Sequence, residues 1–295
     1  MMAPVAGAPR SRPASGDDPR LRPIGVFDSG IGGLTVLHEL LVALPHEDFV
    51  YLGDTERFPY RERSQDELRR FSAEIAEELL RRRTKLLIVA CNSATAAALP
   101  TLQGRMMQTT LGVEVLGVVR PEALRAVAAT RTGRIGLLAT PATVASGAYE
   151  AAIGAIDAHV TLHAVACPTL AAIIQAGEEF GDRAVATVRE ACAPLCDAGV
   201  DTVILGCTHY PLIGPVLQRL LGPGVQLISS GAALARQVEH ALSTRDLGNP
   251  RAGEGDYSFL CTGDHEAFET LGTRFLQMPL GAVEHVELTA VEAAA

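Results

Sequence analysis

No apolar stretch of this 295-residue chain reaches the roughly 18 to 20 residues that a membrane-spanning helix needs. Its start also lacks a basic region followed by a continuous apolar run, so neither export nor anchoring is signalled. Concentrated positive charge is missing as well. A net charge of -9 and the lack of a cluster of Lys and Arg able to neutralise phosphates argue against nucleic acid or anionic membrane as the main partner, and a small polar ligand is the better expectation. A disulfide framework is the third absence. The six cysteines, Cys91, Cys167, Cys192, Cys196, Cys207 and Cys261, are scattered through apolar or helical contexts, which fits a reducing cytoplasm.

What the chain does contain is alternation. Short apolar runs at Ile24 to Phe27, Asp48 to Leu52 and Lys85 to Ala90 alternate with amphipathic stretches at Leu34 to Leu44 and Asp66 to Arg82, the pattern of repeated βα units around a parallel sheet. It restarts at Val113 to Val119 and continues through Arg134 to Ala139, His159 to Ala166, a helix from Asp182 to Cys196, and strands at Thr202 to Gly206, Val225 to Ser229 and Ser258 to Cys261. The segments Gly25 to Gly30 and Gly136 to Thr140 stand about half a chain apart, as do two cysteine-bearing segments described below. The expected fold is α/β: two related domains with mainly parallel sheets flanked by helices and a ligand cleft between them. Residues 23–112 and 232–280 form the first domain and 113–231 the second, with the helix at Ala232 to Leu242 leading back. Residues 1–22, rich in Pro, Ala, Gly, Ser and charge, read as a floppy extension, and 281–295 as a C-terminal tail.

Leu87-Ile88-Val89-Ala90-Cys91-Asn92-Ser93 and Val203-Ile204-Leu205-Gly206-Cys207-Thr208-His209 share one design, an apolar strand ending in cysteine and small polar residues. Open α/β sheets bind ligands at that edge, and a thiol at the start of a helix is expected to have a lowered pKa. A lone cysteine is most often a small buried hydrophobe, but two in this context, each followed by polar residues that a core would not require, point to a two-base enzyme. Cys192 and Cys196 lie one helical turn apart without a second pair to complete a zinc site, so core packing is expected of them, and Cys167 and Cys261 carry no defensible chemistry. Asp28-Ser29-Gly30-Ile31-Gly32-Gly33 matches neither nucleotide-binding fingerprint. Its glycines allow a tight turn or the approach of backbone N–H groups to an anion, and Asp28 either holds an ammonium group, tunes a thiol or caps a helix. His209 either supports proton transfer at Cys207 or bonds within its loop. Phe58-Pro59-Tyr60 is a rigid loop over the cleft or a surface turn.

Taken together, these motifs, with Tyr51-Leu52-Gly53-Asp54-Thr55, Ile228-Ser229-Ser230-Gly231 and Thr262-Gly263-Asp264, resemble the cofactor-independent glutamate racemases of the aspartate and glutamate racemase superfamily. The resemblance implies interconversion of L- and D-glutamate for peptidoglycan synthesis, no cofactor, and a homodimer as one possible assembly. By the same resemblance Cys91 takes the α-proton from D-glutamate and Cys207 from L-glutamate. Asp28 and Ser29 bind the amino group or assist Cys91, His209 assists Cys207, and Asn92, Ser93 and Thr208 hold the α-carboxylate. Pro59, Tyr60 and Arg61 lie where the distal carboxylate is bound. Three positions depart from the family: Ser93 replaces threonine, Arg61 a glycine that would be strained by a side chain if its φ were positive, and Gln175 a glutamate near the second cysteine. The alternatives are a sister activity using the same two thiols, such as an aspartate or hydantoin racemase, a one-cysteine decarboxylase, against which the presence of both cysteines argues, and a non-catalytic amino-acid-binding protein.

Overall fold

The computed structural model describes residues 18–108 and 112–290. Among the described residues ten strands form two sheets: β1 (Ile24–Asp28), β2 (Phe49–Gly53), β3 (Leu86–Val89), β4 (Glu114–Gly117), β9 (Tyr257–Cys261) and β10 (Val283–His285) in one, β5 (Arg134–Ala139), β6 (Thr161–Ala166), β7 (Thr202–Gly206) and β8 (Gln226–Ile228) in the other. Their orders are β10-β9-β2-β1-β3-β4 and β6-β5-β7-β8. Every pairing is parallel, with Val26 opposite Tyr51 on one side and Ile88 on the other, and Leu137 between Ala164 and Ile204. Both faces of such sheets are covered by crossover helices, which is why β1, β2, β3 and β7 are buried at every residue.

The strand order places the site. From β1 the chain crosses to β2 on one side and then to β3 on the other, and β5 stands likewise between β6 and β7. At each of these reversals the crossover helices diverge and leave a crevice at the carboxyl ends of the strands. The two segments noted for their half-chain spacing, at Gly25 and Gly136, fall on β1 and β5, and the two cysteines follow β3 and β7. One cluster of buried side chains runs from Val26, Leu37 and Leu40 through Leu234 and Val238 to Leu195 and Val203, so the two sheets share core. The helix Ser230–Thr244 packs on both Leu34–Ala43 and Val119–Ala129 and carries the chain back to the first sheet.

Three boundaries differ from expectation. Residues 113–231 do not form one unit, because β4 pairs with β3, Leu86 opposite Glu114, and the chain leaves the first sheet only after Gly117. The apolar run Val113 to Val119 specifies a strand but carries no mark of which sheet it extends. The segment expected to be a C-terminal tail contributes β10, which pairs with β9, and its last residues, 291–295, lie outside the described residues. Most of the expected N-terminal extension lies outside them too. Its end is ordered: Asp18 accepts from the Arg20 backbone N–H at 3.0 Å to cap the 3-10 turn Pro19–Leu21, and Lys85 Nζ donates to the Arg20 carbonyl at 2.6 Å. Cys192 is buried as expected, whereas Cys196, at the helix's outer face, is exposed. No described helix is long and apolar enough to cross a membrane.

Candidate active site

The two strand-end cysteines line one cavity at the facing edges of the sheets. Cys91 directly precedes the helix Asn92–Gln108, and the Ala94 backbone N–H of its first turn points at Sγ at 3.5 Å. Ser29, at the end of β1, lies 3.7 Å from the same sulfur. Cys207 is followed by a single 3-10 turn, Tyr210–Ile213, before the helix Gly214–Leu221 begins, so it lacks the full helix N-terminus that Cys91 has. Instead His209 Nδ1 stands 3.8 Å from Cys207 Sγ.

Against expectation, neither thiol has a lowered pKa. Burial pushes Cys91 up to about 12, reinforced by the nearby Asp28 charge and only partly opposed by the Ala94 N–H and the Ser29 hydroxyl. Cys207 is likewise held well above the ordinary thiol range by burial, against the His209 backbone N–H. A few N–H dipoles cannot replace the hydration that a thiolate loses inside a closed cavity. A cation delivered into the cavity would act in the opposite direction, favouring the thiolate.

Asp28 lies behind the wall of the cavity. Its carboxylate accepts from the Gly30 backbone N–H at 3.0 Å and from Thr208 Oγ1 at 3.4 Å, and burial lifts it to about 6. The following helix, Leu34–Ala43, has Gly33 and not Asp28 as its N-cap residue, and the Gly33 backbone N–H at that helix start also bonds to the Asp28 carboxylate and pulls its pKa down. The glycines between them serve close approach. A Cβ on Gly32 would stand 2.3 Å from Thr208 Oγ1 and 2.4 Å from His209 Nδ1, and one on Gly33 would stand 2.5 Å from Asp28 Cβ. Thr35 Oγ1 donates to the Thr208 carbonyl at 2.9 Å, completing the seam between the two strand ends.

His209 is enclosed, with the Phe58 ring stacked at 5.8 Å between centroids and Phe275 meeting its edge at 5.2 Å. Its Nε2 is 3.0 Å from Gln175 Oε1. An amide oxygen only accepts, so Nε2 carries the proton and Nδ1 presents its lone pair to Cys207. Burial, with Arg274 nearby, holds the ring down at about 3, which keeps it neutral.

The remaining residues singled out in the sequence also meet here. Pro59, Tyr60 and Arg61 line the cavity with Asn92, Ser93 and Thr208. The Tyr60 hydroxyl donates away from the cavity to Asp54, which also accepts from Arg57 Nε at 2.7 Å and Thr262 Oγ1 at 2.9 Å and so ties the loop to the end of β9. Arg61 sits in the 3-10 turn Tyr60–Glu62 and is not among the residues with positive φ, so the glycine replaced there entails no backbone strain. Its Nε pairs with Glu62 at 3.0 Å. Ser93 Oγ lies 2.9 Å from Thr140 Oγ1 and 3.0 Å from Thr143 Oγ1. Thr140 lines the cavity and was missed in the sequence, although its place after β5 repeats that of Ser29 after β1. Among the described residues no group of three or more His, Cys, Asp or Glu side chains is gathered to hold a metal.

A closed cleft between two parallel sheets, with a thiol from each and neutral or acidic partners behind them, is the arrangement of a two-base proton-transfer enzyme. Residues 33–238 match the Asp/Glu/Hydantoin racemase family, and the chain belongs to it. It is 42% identical over 267 residues to a glutamate racemase of Bacillus cereus, covering 90% of this chain and 97% of that relative. To a glutamate racemase of Geobacter metallireducens it is 43% identical with the same coverage. The crystal structure of glutamate racemase isoform RacE1 from Bacillus anthracis superposes with a TM-score of 0.86 at 37% identity, over 91% of this chain and 98% of that one. That of Francisella tularensis glutamate racemase in complex with D-glutamate gives 0.85 at 30% identity, over 92% and 100%.

Proposed function

We propose that this chain interconverts L- and D-glutamate through Cys91 and Cys207, acting on opposite faces of Cα, and supplies D-glutamate for peptidoglycan. The observation that carries the reading is the convergence of the two thiols on one closed cavity from the facing ends of β3 and β7. In one direction the Cys91 thiolate takes the α-proton of D-glutamate while the Cys207 thiol gives its proton to the other face, leaving Cys91 protonated and Cys207 as thiolate. The return direction reverses both transfers.

Both thiols are held protonated by burial, so substrate must help create the thiolate. The ammonium group of glutamate, brought against Ser29 with the Asp28 carboxylate behind the wall, supplies the missing positive charge. Hydroxyls of Ser93, Thr140 and Thr208 are suited to the α-carboxylate, where negative charge grows as the proton leaves. Pro59, Tyr60 and Arg61 surround the distal end, with the Arg61 guanidinium available to the γ-carboxylate. The cavity has about 30 Å³ of water-accessible space, room for a water or two and less than an amino acid fills, so its walls part to admit substrate. Work in the cytoplasm fits the six free thiols, of which Cys196 alone is exposed, and a homodimer is the assembly to look for.

Circular dichroism of L-glutamate with the purified chain in D₂O, with NMR at Cα, tests this reading. Loss of optical activity with deuterium incorporation is expected. Unchanged ellipticity without exchange rejects glutamate racemisation.

A further inference from the structure

Glu122 is a fully buried carboxylate to which none of the steps above assigns a role. It stands in the first turns of the helix Val119–Ala129, by which the chain passes from the first sheet to the second. Three donors converge on it from three other helices. Ser230, the first residue of Ser230–Thr244, donates to Oε1, and the Tyr149 hydroxyl, from Ala148–Ile156, donates to Oε2. The third donor is Asn92, the neighbour of Cys91 and part of the cavity wall, whose Nδ2 lies 3.1 Å from Glu122 Oε2 and 2.8 Å from Tyr149 Oη.

These contacts fix which way the Asn92 amide faces. With Glu122 ionised, or with its carboxyl proton on Oε1 facing Ser230, Tyr149 spends its one proton on Oε2 and can only accept from Asn92, and Oε2 likewise only accepts. Turned over, the amide would set its oxygen against two acceptors. Both N–H groups of Asn92 are therefore consumed behind the wall. Its Oδ1 is left buried without a partner, a cost that a buried polar atom normally avoids and that an incoming N–H donor would remove. Burial pushes the Glu122 carboxyl up to about 8, while Ser230, Tyr149 and Asn92 pull it down.

We propose that Glu122 is a positioning residue for the reaction: with Tyr149 it locks the Asn92 amide so that its acceptor, and not its N–H groups, is offered to the substrate's ammonium beside Cys91. The side chain of Asn92 then cannot serve the α-carboxylate, which falls to Ser93, Thr140 and Thr208. The inference rests on the racemase reading above and deepens it.

Four variants of the full chain test it: Glu122→Ala, Glu122→Gln, Asn92→Ala and the double variant Glu122→Gln/Asn92→Ala, with steady-state kinetics in both directions, glutamate titration calorimetry and thermal midpoints. Releasing the amide should raise KM on the order of tenfold in Glu122→Ala with a smaller change in kcat, and less in Glu122→Gln, which keeps an acceptor. In the Asn92→Ala background the Glu122→Gln change should no longer affect glutamate affinity, because the group it acts through is gone. If Glu122→Ala does not fold, Glu122→Gln and Tyr149→Phe carry the same expectation. Unchanged KM with a lowered thermal midpoint, or effects that add fully in the double variant, would overturn the proposal and leave Glu122 a structural clamp. A parent chain that neither racemises nor binds glutamate would instead reject the racemase reading, which separates the two failures.

Discussion

His209 donates through Nε2 to Gln175 Oε1 at 3.0 Å and thereby turns its unprotonated nitrogen toward Cys207. A carboxylate in place of this amide would make the ring more basic, whereas the neutral amide fixes its tautomer and leaves its affinity for protons low. This chain thus orients His209 strongly and activates it weakly.

The first expected outcome follows from that pair. Gln175→Glu should raise the His209 pKa from about 3 toward or above its ordinary 6.5, so kcat should acquire a pH dependence between about 5 and 7 that the parent lacks. Because enantiomers are equal in free energy, kcat/KM must change equally in both directions. An unaltered pH–rate profile would show that the contact does not tune Cys207.

For the thiols themselves, Cys91→Ala and Cys207→Ala should each lower racemisation on the order of 10³-fold or more while leaving far-ultraviolet circular dichroism intact. In D₂O the variant retaining Cys91 should exchange the α-proton of D-glutamate only, and the variant retaining Cys207 that of L-glutamate only. Exchange with the enantiomers reversed would invert the assignment, and full activity in either variant would remove the two-base mechanism.

Gly32→Ala places a methyl group where Thr208 Oγ1 and His209 Nδ1 already stand. Neither atom belongs to a long flexible side chain, so the seam must widen, at a cost of about 1–3 kcal/mol and most of the activity. Gly104→Ala, in the helix Asn92–Gln108 with nothing within 4 Å of its added Cβ, should keep full activity and gain up to about 1 kcal/mol from helix propensity. Chemical denaturation and a racemisation assay on the two variants check both.

Stability should also depend on Glu122. Its carboxyl is raised from 4.5 to about 8, so between those values the folded chain retains a proton that the unfolded chain has released. Stability therefore falls as pH rises through that window, and the loss is complete above about 8. Glu122→Gln does not titrate. Its thermal midpoint relative to the parent should become steadily more favourable between about pH 5 and 8 and level off above that, and a difference flat with pH throughout would show that Glu122 does not carry the shift. Asp28, raised in the same direction, is common to both chains and cancels.

Much of the fold was legible because buried parallel strands are short, apolar and β-branched. β5 and β7 were bounded correctly from sequence, and the helix Asp182–Asp197 to within one residue. The site was legible for the same reason: residues just past a buried strand end are released from the core, so Cys91-Asn92-Ser93 and Cys207-Thr208-His209 stood out against their apolar lead-ins. Asp54 stands in one of the quoted motifs but has no role readable from it, and Glu122 belongs to no motif at all. A lone acidic residue in a sequence looks like any solvated one, and only its partners reveal that it is buried.

The sequence by itself determined the alternation of strands and helices, the two strand-end thiols and the family to which they belong, because these rest on local patterning and on which residue types occur together. Tertiary structure decided what depends on residues far apart in the chain. It assigned β4 and β10 to the first sheet, since register and neighbour choice are settled by packing. It set both thiols high, since desolvation is a property of the closed cavity. It also turned the Asn92 amide toward Glu122 and Tyr149, 30 and 57 residues away, since a side chain's orientation is fixed by the partners that the fold brings to it.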